Sequence, residues 1–113
     1  MSVGPSDTIN TAYNRMRAND VSQLPVMDGD RIVGLLDEED LLMAVHECPD
    51  CFGDAVDRHM TSHLDTLPAT AETAALLPLF KADKVAIVED PQGRFLGMIT
   101  KVDLINHLRR KHG

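Results

Sequence analysis

Apolar positions follow two alternating rhythms along the chain. Ile9, Ala12, Tyr13 and Met16 fall at helical spacing behind Asp7 or Thr8, either of which can cap a helix start. Leu24 to Met27 is a short apolar run, and Ile32 to Leu36 is a second. Asp28-Gly29-Asp30 between them is a hairpin-type turn. A helix follows from about Glu38 to Val45 and is stopped by Pro49. The series then recurs: a helix near Ala71–Lys81, a strand Val85–Val88, a turn around Pro91-Gln92-Gly93, a strand Phe95–Ile99 and a helix Lys101–Arg110. Pro78 falls inside the third predicted helix. Its ring clashes with the preceding turn, so that helix must kink or shorten.

The recurrence is a true internal repeat. Arg31-Ile32-Val33-Gly34-Leu35-Leu36, running on to Asp40-Leu41-Leu42, matches Arg94-Phe95-Leu96-Gly97-Met98-Ile99, running on to Asp103-Leu104-Ile105, without a gap. Leu24-Pro25-Val26 matches Ala86-Ile87-Val88, and Val3 to Met16 matches Leu67 to Phe80, with slips of one or two residues that turns absorb. Each half reads as a β-α-β-β-α unit. A unit of that size buries too little surface to stand alone, so two units sharing a core are expected. The expected division is a first unit over 1–46, a linker with a helix over 47–58, and a second unit over 59–113.

Composition narrows the function classes. The chain has 113 residues, which is short for a metabolic enzyme with its own substrate cavity, and a net charge of −7. The acidity is concentrated in residues 1–56, and the second half is close to neutral. Without a basic stripe, and with only three Phe, one Tyr and no Trp, neither phosphate neutralisation nor base stacking is on offer, so nucleic-acid binding is not expected. No apolar run is long enough to cross a membrane, and the first residues lack the basic and apolar regions of a signal peptide. Two cysteines are too few for a disulfide scaffold, which makes a cytoplasmic location the expectation.

These residues resemble a tandem pair of CBS domains, the module named after cystathionine β-synthase, over almost the whole chain. The resemblance is carried by Pro25-Val26 after the first helix, the Gly34 and Gly97 blocks, the two Asp-Leu pairs and Met60-Thr61 opening the second unit. Val21-Ser22-Gln23-Leu24-Pro25-Val26, followed by Gly34-Leu35-Leu36, is most similar to the C-terminal regulatory region of bacterial cystathionine β-synthase-like proteins. The resemblance implies an α+β fold of two units packed through their sheets with pseudo-two-fold symmetry. It implies a non-catalytic, regulatory, Bateman-type module that commonly forms a homodimer. It also implies two clefts that take adenosyl ligands (AMP, ATP or S-adenosylmethionine) and modulate an attached or partner enzyme. For the cystathionine β-synthase branch, that enzyme is pyridoxal-phosphate-dependent. The chain starts abruptly at the first repeat, so it is expected to be part of a longer protein.

Thr100 and Asp103 stand at a strand-to-helix junction, where free N–H groups and the positive end of the helix dipole face outward. A carboxylate there can accept hydrogen bonds from ribose hydroxyls. By resemblance, Thr100 and Asp103 bind the sugar, Val21 and Leu24 flank the adenine, Gln23 offers its amide, and Ile99 and Val102 line the same cleft. The same spacing also fits a helix capping box, and one residue can serve both ends. The related cleft would use Asp37 and Asp40 with Thr66, Lys84, Val85 and Ala86. Asp37 stands where the family has threonine. It repels phosphate but not a sulfonium, or it is simply a helix cap. Lys84, Lys101 and Arg94 are candidate phosphate partners, but no phosphate loop is present. An acidic module suits S-adenosylmethionine better than a polyphosphate, and the likeness to the cystathionine β-synthase family implies the same ligand, so S-adenosylmethionine is favoured over AMP or ATP.

Cys48-Pro49-Asp50-Cys51 admits two further readings: two zinc ligands completed by His46, His59 or His63, or a redox dithiol. A strong zinc signal has two such pairs and this chain has one, in the linker, so Cys48 and Cys51 are read as structural and no metal is assigned. His107, Arg109, Arg110, Lys111 and His112 are read as a solvated basic helix end. Met16, Met27, Met43 and Met98 are expected to fill gaps in the core. The competing functions are a dimerisation module with empty clefts and a small metal or redox protein. An independent enzyme has no catalytic motif to support it.

Overall fold

The computed structural model describes residues 2–81 and 85–112 of the chain. It is α+β, and it divides into two compact units, Met1–Leu64 and Asp65–Gly113.

In the first unit, helix α1 (Ile9–Asn19) starts on Thr8, whose hydroxyl accepts from the Thr11 N–H at 3.2 Å. Asp7, the other candidate cap, instead accepts from the Gly4 N–H at 2.8 Å. The helix ends at Asp20, which adopts the left-handed conformation (φ 52°, ψ 49°) that closes helices. Strands β1 (Gln23–Asp28) and β2 (Arg31–Asp37) pair antiparallel across a two-residue turn, where Gly29 at φ 66° takes the conformation open to glycine. Helix α2 (Glu38–Glu47) follows, then 3-10 turns at Pro49–Gly53 and Val56–Arg58.

Two contacts invisible in the hydropathy pattern complete this sheet. Val3 adds a parallel bridge beside β1: its N–H donates to Pro25 at 3.1 Å, and its carbonyl accepts from Met27 at 2.7 Å. Thr61 pairs with Leu35 on the other edge, through bonds of 2.9 and 2.8 Å. Met60 packs against the first core, so Met60-Thr61, expected to open the second unit, lies on the sheet edge of the first. That core gathers Val3, Ile9, Ala12, Met16, Leu24, Val26, Leu36, Leu41 and Val56.

In the second unit, β3 (Thr66–Pro68) runs parallel to β4 (Ala86–Glu89), which pairs antiparallel with β5 (Phe95–Ile99). The predicted helix at 71–81 is shorter. A 3-10 turn at Thr73–Ala75 precedes α3 (Leu76–Lys81), which places Pro78 in a first turn that needs no N–H from it. Helix α4 (Lys101–His112) closes the unit. Leu76, Phe80, Ala86 and Leu104 form its core.

The repeat is written into strand irregularities as well as elements. Val26 faces Gly34 while Met27 faces Ile32, which leaves Val33 as a bulge. Val88 faces Gly97 while Glu89 faces Phe95, which leaves Leu96 as the matching bulge. The methionine expectation holds only in part. Met16 is buried, Met27 and Met98 are half-buried, and Met43 is exposed on the outer side of α2.

Candidate binding site at the strand–helix junctions

The two repeats place a carboxylate at the same spot: the first turn of the helix that follows the last hairpin strand. In the second unit this is Asp103. Its Oδ2 accepts from the Thr100 N–H at 2.8 Å and from the Thr100 hydroxyl at 3.0 Å. Thr100 Oγ1 in turn lies 3.4 Å from the Asp103 N–H. The capping box read from the spacing is therefore formed. Asp103 remains exposed and Thr100 is half-buried. A cavity of about 290 Å³ opens beside them, lined by Ala71, Thr73, Leu76, Ile99, Asp103, Leu104 and His107. A second groove of about 670 Å³ runs along α4 from Asp103 past Asn106 to Arg109 and Arg110. The carboxylate thus borders a largely apolar cavity on one side and, on the other, a groove whose far end carries two guanidinium groups.

In the first unit the equivalent residues are Asp37 and Asp40. The Asp37 N–H donates to Asp40 Oδ2 at 3.0 Å, and the Asp40 N–H donates to Asp37 Oδ1 at 2.8 Å. This too is a full capping box, and Asp37 is the helix cap. Burial pushes the Asp40 carboxyl up from 3.8 to about 6. The Asp37 N–H acts against this shift, while the charges of Asp37 and Glu39 add to it. Two carboxylates at one helix start hold a proton more readily than either would alone.

The other expected residues are placed as follows. Val21 and Gln23 are half-buried at the turn from α1 into β1, and Leu24 is fully buried in the first core. Ile99 is half-buried at the end of β5, and Val102 is exposed at the start of α4. Thr66 is exposed at the start of β3, Val85 is half-buried, and Ala86 is fully buried at the start of β4. Lys84 lies outside the described residues. Within the second unit, the structure brings Ile99, Thr100, Val102 and Asp103 together at one junction. Within the first, it brings together Asp37 and Asp40.

Cys48 and Cys51, expected to be plain linker residues, are joined by a disulfide with Cα atoms 5.3 Å apart. The bridge closes a loop of very few residues, so it staples a turn and does not build a scaffold. Among the described residues, no helix is long and apolar enough to cross a membrane.

The CBS domain family model matches residues 1–47 and 54–110. Inosine-5'-monophosphate dehydrogenase of Methanocaldococcus jannaschii is 27% identical over 113 residues. The match covers 99% of this chain but only 22% of the enzyme's length. CBSX2, known from Arabidopsis thaliana and solved in complex with AMP, superposes with a TM-score of 0.88 at 21% identity, covering 100% of this chain and 90% of that one. The CBS-domain protein ATU1752 from Agrobacterium tumefaciens superposes with a TM-score of 0.84 at 23% identity, covering 96% and 88%. With matched repeats, matched bulges and a capping-box carboxylate in each half, the chain belongs to the CBS domain family, as a tandem CBS pair.

Proposed function

We infer that this CBS pair is a regulatory sensor that binds an adenosyl ligand and modulates an attached or partner enzyme, without catalysis of its own. The observation that carries this reading is the exposed Asp103 carboxylate, held at the start of α4 by Thr100 and flanked by an apolar cavity. A carboxylate fixed in this way can accept from both hydroxyls of a ribose, and charge-assisted bonds of that kind are the strong ones. Arg109 and Arg110 stand along the same groove and suit a phosphorylated adenosine, so AMP is the first candidate. CBSX2, a structural neighbour, is known with AMP bound. The acidic pair Asp37 and Asp40 favours S-adenosylmethionine as a second reading, because a sulfonium is attracted where a phosphate is repelled. Ile99 and Val102, beside Asp103 in the second unit, are proposed to line the ribose side.

The regulated enzyme is proposed from two likenesses: the cystathionine β-synthase-like pattern of Val21–Val26, and the match to a stretch of a dehydrogenase. In mechanism, the ligand binds one arrangement of the chain better than another, and that difference in affinity is what the enzyme feels.

Titration calorimetry with AMP, ATP and S-adenosylmethionine tests the reading. At least one should bind below about millimolar affinity, and Asp103→Ala should weaken it by roughly tenfold or more, the loss of one charged hydrogen bond. Asp103→Ala also loses part of a cap, so its helix content and melting curve are compared in the same samples. Silence with all three ligands, or unchanged affinity in a folded Asp103→Ala, would remove the sensor reading.

A further inference from the structure

The Cys-x-x-Cys pair has no part in the adenosyl reading, and its surroundings are more ordered than a linker requires. The Cys48 N–H closes α2 on the Ala44 carbonyl at 3.1 Å, Cys51 donates to Cys48 at 2.9 Å, and Asp54 donates to Cys51 at 3.0 Å. The next residues are tied to the start of the chain. The Ile9 N–H donates to Asp54 at 3.0 Å, Val56 donates to Asp7 at 2.7 Å, and Asp57 donates to Pro5 at 3.1 Å. His59 closes the second 3-10 turn on Val56 at 3.0 Å. The backbone from 48 to 59 is thus fixed by its own turns and by residues 5–9.

That backbone gathers three donors, and a fourth is bonded to one of them. Cys51 Sγ, an Asp54 carboxylate oxygen and a His59 ring nitrogen lie within 4.8 Å of one another. Cys48 Sγ is bonded to Cys51 Sγ. His59 Nε2 faces Asp54 Oδ2 at 3.0 Å, both half-buried, and Cys51 is buried. Donors this close can surround one ion at the roughly 2.0–2.3 Å that zinc takes to nitrogen, oxygen and sulfur. Of the three histidines weighed for such a site, the structure selects His59. His46 and His63 are exposed and stand outside the cluster. It adds Asp54, which the sequence did not single out. The bland reading, a histidine satisfied by its carboxylate, explains the Asp54–His59 bond but not the buried Cys51 sulfur set within 4.8 Å of both.

We propose that the reduced chain binds one zinc ion through Cys48, Cys51, Asp54 and His59, and that the disulfide is the metal-free form of the same site. The balance is simple. A dithiol gives two electrons and two protons to the Cys48–Cys51 bond and closes to its own disulfide, leaving two thiols. Zinc then displaces both thiol protons to water and forms two Zn–S bonds, while neutral His59 and ionised Asp54 fill the tetrahedron. Thiolates select zinc over magnesium or calcium, which prefer all-oxygen sites. Metal and disulfide exclude each other, so the site reports redox state and zinc together.

The test uses cobalt(II) as the spectroscopic stand-in for zinc, on the full chain, anaerobically. A phosphine is the reductant, because it gives the same two electrons (water supplying its oxygen and the thiol protons) without a thiol to compete for the ion. The reduced chain should take up one equivalent, with tetrahedral visible bands and thiolate charge-transfer bands, both erased by one equivalent of zinc. The oxidised chain and Cys48→Ser should show neither. His59→Ala should lower zinc affinity by at least the roughly 10- to 100-fold that loss of an outer-shell partner alone costs. His59→Gln, which keeps a donor for Asp54, should do the same if the alanine variant folds poorly. His63→Ala should match the wild type. Absence of tetrahedral bands from the reduced wild type, or wild-type affinity in a folded His59 variant, would overturn the proposal.

Discussion

At the residue scale, two carboxylates in matching places differ in what surrounds them. Asp103 is exposed and bonded to a hydroxyl and an N–H, whereas Asp40 is half-buried beside a second carboxylate. The folded chain holds the Asp40 proton up to about 6, against 3.8 when unfolded. A raised carboxyl stabilises the fold fully below the unfolded value, and that contribution is lost as pH rises through about 6. Asp40→Asn keeps an acceptor for the Asp37 N–H but cannot ionise. Its melting temperature relative to wild type should therefore rise between roughly pH 4 and roughly pH 7. A flat difference across that window would mean that Asp40 titrates normally. The Thr100-x-x-Asp103 capping box was legible as spacing; at the first junction only Asp37 was read as a cap, and the return bond from Asp40 was not. Nor was the Asp40 shift, because burial is set by packing and leaves no mark on spacing.

At the element scale, the repeat foretold helices, hairpins and the shortened helix around Pro78. It did not foretell the sheet edges. Val3 and Thr61 each add a single bridge, and β3 has only three residues, too short for alternation to show. The two repeat glycines separate what the sequence treats as equal. A Cβ on Gly34 would lie 2.8 Å from Met60 Cγ and 3.1 Å from the Thr61 carbonyl, where the edge segment crosses β2, whereas a Cβ on Gly97 meets nothing within 4 Å. Gly34→Ala should cost about 1–3 kcal/mol, as overpacking does. Gly97→Ala should stay within about 0.5 kcal/mol of wild type in chemical denaturation. Equal effects would show that the Thr61 edge does not constrain β2.

At the scale of the whole molecule, the repeat made family and fold legible, because twofold recurrence of weak signals is stronger than any one of them. The donor set around Cys51 was only half legible. The Cys pair stood out, but Asp54 and His59 reach it through 3-10 turns whose hydrogen bonds to residues 5–9 no local pattern encodes. Leu42 on α2 and Ile105 on α4 occupy equivalent positions and are 63% and 61% exposed. If these faces hold the expected homodimer, Leu42→Glu with Ile105→Glu should sediment as a monomer where the wild type sediments as a dimer. An unchanged mass would place the interface elsewhere.

In the proposed sensor, a carboxylate at a strand–helix junction holds the ribose of an adenosyl ligand. Calorimetric titration of the wild-type chain with AMP and with its 2′,3′-dideoxy analogue tests this most directly. AMP should bind, and the analogue, lacking both hydroxyls, should bind at least about tenfold more weakly. Equal affinity for the two would contradict it.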